Sequence, residues 1–198
     1  MRAWIALAVC SLLVAGWAFA SHAPPVWPAP HDPLSLARKA GLKPEPHEFF
    51  AYHVHAHLDV FVNGRRVLVP AAIGIDITNP AVKRSVAPDG TLQYGGIDPP
   101  CKKPCISPLH THSDDGILHT ESLRAHPNKL GQFFVVWNVR LTPTCVGGYC
   151  RPAVPIKVYV DRRAFTRDPR RIPLTDLKEI AIVIGRPPAK IPSHFPRG

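Results

Sequence analysis

Three histidines and a carboxylate, His110, His112, His119 and Glu121, bracket the turn sequence Ser113-Asp114-Asp115-Gly116, and a second run, His53, His55 and His57, lies upstream. Imidazole is the commonest protein metal ligand, and residues two apart on a strand point to one face. The chemistry indicated is metal coordination. If residues 113–116 turn one strand back on the next with His112 opposite Ile117, then Thr111 faces Leu118 and His110 faces His119. Directly opposed Cβ atoms lie about 4.5–5.5 Å apart. His110, His112, His119 and Glu121 then share a face, and three imidazoles so placed can converge on one ion at about 2.0–2.1 Å. A bulge at Gly116 would weaken that register.

The upstream run repeats the pattern on a single strand, where adjacent members sit about 6.5–7 Å apart at the backbone. The economical arrangement sets the two histidine strands side by side, so that His55, His57, His110, His112 and His119 supply one metal site. His53, Asp59 and Glu121 are further ligands or orient a ligand from behind. Asp114 and Asp115 read as turn formers. His22, His31, His47, His126 and His194 stand alone and read as ordinary surface or hydrogen-bonded histidines. Once Met1 is lost no thioether remains, and the cysteines are otherwise engaged, so soft Cu(I) and blue-copper chemistry are disfavoured. An all-imidazole donor set suits Zn(II) and Cu(II) alike, ahead of Fe(II) and Ni(II).

The elements that must hold these residues are mostly strands. Val54, Ala56, Leu58, Val60 and Val62 alternate with His53, His55, His57, Asp59 and Phe61, so one face of a strand is apolar and the other carries the histidines. Asn63-Gly64 predicts a two-residue type I′ hairpin, setting Val62 against Arg65, Val60 against Val67 and Leu58 against Val69. Residues 132–139, 156–160 and 180–184 read as buried strands, the last central because it is apolar on both faces. Residues 71–108 read as loops punctuated by Pro and Gly, with a short strand at 72–77. Asp32 as N-cap, Pro33 at the first helical position and Gly41 beyond the end predict one short, peripheral helix. The expected fold is all-β or β-dominated, an antiparallel sandwich or partial barrel with that single N-terminal helix.

Residues 3–20 carry no charge, follow Arg2 and end in Ala18-Phe19-Ala20, the form of a cleavable export signal. An uncleaved anchor is the competing reading, since about 18 apolar residues just span a bilayer. The expected organisation is a signal over 1–20, a Pro-rich lead and short helix over 21–48, and a single β domain over 49–198. No later stretch is apolar enough to span a membrane. In an oxidising compartment, Cys101, Cys105, Cys145 and Cys150 form two disulfides in preference to a four-thiolate zinc site, with three pairings open. Loss of Arg2 takes 24 Lys and Arg to 23 against 14 acids, a formal charge of +9. The bases are scattered without an aromatic-studded stripe, which argues against nucleic acid and for a loosely cationic surface facing an anionic cell envelope.

The blocks His55-x-His57-x-x to Asn63-Gly64, Leu109-His110-Thr111-His112 with Gly116, His119 and Glu121, and Leu130 to Phe134 with Val136-Trp137 resemble a group of exported bacterial and archaeal proteins. That group shares these blocks in this order. The resemblance covers most of residues 53–185. It implies that His55, His57, His110, His112 and His119 act as a set, and it carries no activity. Three functions fit: an exported domain that binds copper or zinc; a secreted metalloenzyme with a three-histidine metal-activated water and Glu121 or Asp59 as base; or an envelope domain that binds a partner. No G-x-S-x-G, phosphate-cradling loop, H-E-x-x-H or free cysteine with a base partner points elsewhere. No acid, base or nucleophile has its own signature, which favours the binding domain and leaves catalytic residues unassigned.

Overall fold

Residues 23–196 are described by a computed structural model of the chain; the expected signal over 1–20 and His22 lie outside them. The fold is strand-dominated and is organised on one long strand, β1 (Tyr52–Val62). Around it lie β2 (Arg65–Val67), β5 (Leu109–His110), β6 (Ile117–Ser122), β9 (Ile156–Val160), β10 (Arg163–Phe165) and β11 (Lys178–Ile184) in a seven-stranded sheet. Its order is β10-β9-β11-β1-β6-β5, with β2 paired to the far half of β1. Two small hairpins, β3 (Lys83–Val86) with β4 (Leu92–Gly95) and β7 (Cys145–Val146) with β8 (Tyr149–Cys150), stand outside it.

The Asn63-Gly64 turn forms with both residues at positive φ, 51° and 83°, as a type I′ turn requires. It fixes Val62 opposite Arg65 and Val60 opposite Val67. The expected third pair is not made: β2 ends at Val67, and the Leu58 amide donates to the Gly116 carbonyl instead. On its other edge β1 runs parallel to β11, so the sheet is mixed rather than wholly antiparallel, and β11 is central as its two apolar faces require.

Residues 132–139 are the main correction. They fall in a helix, α2 (Leu130–Val136), with Trp137 closing it and Asn138 in the left-handed conformation beyond. Leu130, Phe133, Phe134 and Trp137 recur at helical spacing, and all are buried. A short run that is apolar all round suits a buried strand equally well, so periodicity alone does not separate the two. Gln132 decides the start by accepting from the Lys129 amide at 2.9 Å. Helix α1 (Pro33–Lys39) forms as expected, with Asp32 accepting from the Ser35 amide and Gly41 at φ +76°. It is less peripheral than its composition suggests, since Ala37 is wholly buried in the main core.

α2 covers the apolar face of the sheet, joining Ala56, Leu58, Val60 and Val62 to Ile180, Ile182 and Ile184 in one core. The Pro-rich lead packs there too: the Trp137 indole donates to the Trp27 carbonyl, and the two rings meet edge to face. The histidine face of β1 is thus the face turned away from α2. Residues 72–77 are not a strand, because Ala72 and Gly74 take positive φ and break the extended chain. They pack with Ile97 and Ile106 in a second small core closed by the Cys101–Cys105 disulfide. The other disulfide joins Cys145 to Cys150, so both bridges are local.

Candidate metal centre

Strand β6 is the middle of the site. Across one ladder it sets His119 opposite His110 of β5, the register expected from the turn. Across the other it sets His119 opposite His55 and Glu121 opposite His53 of β1. Both histidine strands therefore present their polar residues to one face, and five histidines gather around Glu121.

The inner group is His110, His112, His119 and Glu121, whose ligand atoms all lie within 4.8 Å of one another. His110 and Glu121 are buried, and His112 and His119 are partly exposed. Glu121 Oε1 lies 3.2 Å from His119 Nδ1, 3.1 Å from His53 Nε2, 3.7 Å from His112 Nε2 and 3.8 Å from His110 Nε2. Burial pushes the Glu121 carboxyl up, yet the His112 and His119 contacts outweigh it and hold the group well below the usual carboxylate range. It stays ionised. Its second oxygen, Oε2, is buried with no hydrogen-bond partner.

The tautomers follow from the backbone. His110 Nδ1 faces the Ser107 carbonyl at 2.8 Å, and His112 Nδ1 faces the Tyr94 carbonyl. A carbonyl only accepts, so both Nδ1 atoms carry the proton and donate. Their Nε2 atoms, 3.1 Å apart, then point lone pairs at each other. That contact is repulsive unless a cation lies between them. Two nitrogens bound at 2.0–2.1 Å to a tetrahedral ion sit about 3.3 Å apart, close to what is found. Burial holds His110 well below its ordinary value and His119 at about 4, so both are neutral and available as ligands. Burial also lowers His112, but Glu121 and the Tyr94 carbonyl raise it overall. Its Nε2 thus carries the proton that fills the gap in metal-free protein.

A second group, His53, His55 and His119, also meets the 4.8 Å condition, with His53 and His55 Nε2 2.8 Å apart. Burial, with His53 alongside, lowers His55. Two clefts reach the cluster. One, of about 410 Å³, is lined by His53, His112, His119 and Glu121 with Lys83 and Tyr94 of the β3–β4 hairpin. The other, of about 770 Å³, is lined by His55, His57, His119 and Arg66 under the tail residues His194 and Phe195.

His57 goes elsewhere. It forms a third buried group with Asp59 and Glu179, its Nδ1 2.8 Å from Glu179 Oε2 and 3.7 Å from Asp59 Oδ2. Its Nε2 donates to the Asp115 carbonyl at 3.0 Å, and Arg66 Nε donates to Asp59 at 2.9 Å. Burial lowers His57, but the Glu179 contact outweighs this and raises it, while burial raises Glu179. Among the residues expected to be ordinary, His47 is bound locally to the Glu48 carbonyl. Glu179, Arg66 and Glu45 were not singled out from sequence. Burial, aided by the Glu121 charge, raises the Glu45 carboxyl to about 7. Glu179 had one available sign, a carboxylate abutting the apolar run of a central strand. Comparisons of the chain with protein families, with curated proteins and with solved structures find no match.

Proposed function

We propose that this chain is an exported metal-binding protein whose ion, Zn(II) or Cu(II), is held by His110, His112, His119 and Glu121, with His55 and His53 beside them. The observation that carries the reading is the 3.1 Å approach of His110 and His112 Nε2, each ring fixed by a backbone carbonyl behind it. Fixing one ring nitrogen to a carbonyl so that the other faces the ion is how ligating histidines are held. Three imidazoles and one carboxylate are a donor set for borderline divalent metals. Export over residues 1–20 agrees with the two disulfides, and among the described residues no helix is long and apolar enough to cross a membrane.

A binding role is favoured over catalysis because neither expected base is free. Glu121 is engaged by His53 and His119, and Asp59 by Arg66. Metal analysis of mature protein, with His110→Ala and His55→Ala beside it, tests the proposal. It expects Zn or Cu in near-stoichiometric amount, lost in His110→Ala. Protein that is metal-free from metal-replete cells and takes up neither ion on addition would overturn it.

A further inference from the structure

The six donors are too many and too spread for one ion. Resting on the metal-binding reading above, we propose that the site is dinuclear: a second ion is held by His53, His55 and His119, and His119 is shared by both ions.

The sheet supplies the argument. His110, His119 and His55 form a row across three adjacent strands, with His119 opposite one partner on each side. One ion, with bonds of about 2.0–2.1 Å, joins donors no more than about 4.2 Å apart. Among the described residues, no group of ligand atoms within 4.8 Å of one another contains both His55 and His110, whereas each shares a group with His119. The donors accordingly divide into two groups, each within 4.8 Å, with His119 belonging to both.

His119 is suited to that place. Its Nδ1 faces Glu121 Oε1 at 3.2 Å, and its Nε2 makes no hydrogen bond among the described residues. The two ring nitrogens of an imidazole point in different directions, so each can take its own ion. His55 packs edge to face on the His119 ring with centroids 4.4 Å apart, as His112 does at 4.3 Å. The shared ring is thus flanked symmetrically. His53 and His55 Nε2, at 2.8 Å, repeat the close approach of His110 and His112. When both ions are bound the shared ring gives up its remaining proton to solvent. Both clefts reach His119, one bordered by Tyr94 and Lys83 beside His53 and His112, the other by Arg66 and Phe195 beside His55.

The test is stoichiometry and magnetic coupling on the mature protein. Titration with Zn(II) is expected to give two equivalents per chain, falling to one in His53→Ala/His55→Ala. His53 is exposed and His55 half-buried, so that variant leaves the core intact, and His53→Ala alone serves as a milder check. With two equivalents of Cu(II), an imidazole-bridged pair couples, and most of the paramagnetic resonance intensity is lost. His119→Ala restores the full signal of whatever copper remains bound. One equivalent in wild type, unchanged in the double variant, overturns the dinuclear site and leaves the single-ion reading standing. No uptake overturns both. Two equivalents that persist in the double variant, or two uncoupled Cu(II) signals in wild type, also overturn it.

Discussion

Two buried histidine–carboxylate clusters lie on the same face of β1, and they are built in opposite ways. Around Glu121, one carboxylate is surrounded by imidazoles, and the Nε2 atoms of His110 and His112 approach to 3.1 Å. Around Glu179 and Asp59, two carboxylates surround one imidazole, His57, and Arg66 completes the set. The second cluster carries its own compensating cations, a protonated His57 and a guanidinium. The first holds a single charge pair, Glu121 with His112, and leaves His110 and His119 neutral. A buried charge persists only when paired, and a neutral imidazole nitrogen is a metal donor, so the cluster that holds neutral imidazoles is the one that recruits an ion, and the other is complete as it stands. Residue type alone does not separate them. The direction of the lone pairs and protons does.

The sharpest way to break this contrast is to remove the cation from the complete cluster. His57→Ala leaves Glu179 and Asp59 buried with only Arg66 between them, and losing one member of a buried pair costs about 3–5 kcal/mol. Urea denaturation of metal-free protein should show that loss, with Zn(II) stoichiometry unchanged in the variant that remains folded. A variant that unfolds no earlier, or that loses its zinc, would mean that His57 belongs to the metal centre.

The incomplete cluster should respond to metal where the complete one does not. An ion that binds only the folded state, supplied at 100 times its dissociation constant, stabilises by about 2.7 kcal/mol. For a chain of this size that is roughly 5–10 °C in Tm. Zn(II) should raise Tm by this order in wild type and in Arg66→Met, and a chelator should reverse it. In His110→Ala the increment should vanish, because one of the two opposed nitrogens is gone. An equal increment in that variant would detach the metal from this site.

How much of this could be read from the sequence follows the same division. The first cluster was legible because local turns set it: the 113–116 turn places His110 opposite His119, and Asn63-Gly64 fixes β1 against β2. The β1–β6 pairing followed from economy. The partner of His57 was hidden, because Glu179 lies 122 residues away on a strand that pairs in parallel through no local turn. The carbonyls of Ser107 and Tyr94 fix the tautomers, yet a backbone group leaves no trace in residue type. α2 was misread because seven mostly apolar residues satisfy both periods until the packing on the sheet is known.

The clusters should also slope oppositely with pH. His57 is raised above 6.5, so its stabilising contribution is complete below that value and is lost as pH rises through its folded value. Glu179, raised above 4.5, acts in the same sense from a lower start. Metal-free protein should therefore lose stability on the alkaline side. The metal increment runs the other way, because His112, also raised, must release a proton before it ligates. His119 at about 4 and His110, held well below its ordinary value by burial, are already neutral at pH 6 and add nothing to that slope for the first ion. One proton gives about a tenfold gain in affinity per pH unit until His112 is neutral. Thermal scans between pH 5 and 9, with and without Zn(II), should show the two trends cross. A metal increment independent of pH below 7 would remove His112 from the ligand set.

The smallest expected effect asks which cation matters in the complete cluster. Arg66 pairs with Asp59 at 2.9 Å, but about half of its side chain is exposed, whereas His57 is buried against both carboxylates. An exposed partner is screened and worth at most about 1 kcal/mol. Arg66→Met keeps the length of the stem and removes the charge, so it isolates that contribution. The midpoint should fall by about 1 kcal/mol or less, well short of the loss in His57→Ala. A larger fall would make the guanidinium, rather than the imidazolium, the group that neutralises Asp59 and Glu179, and the two clusters would then differ by an arginine instead of a proton.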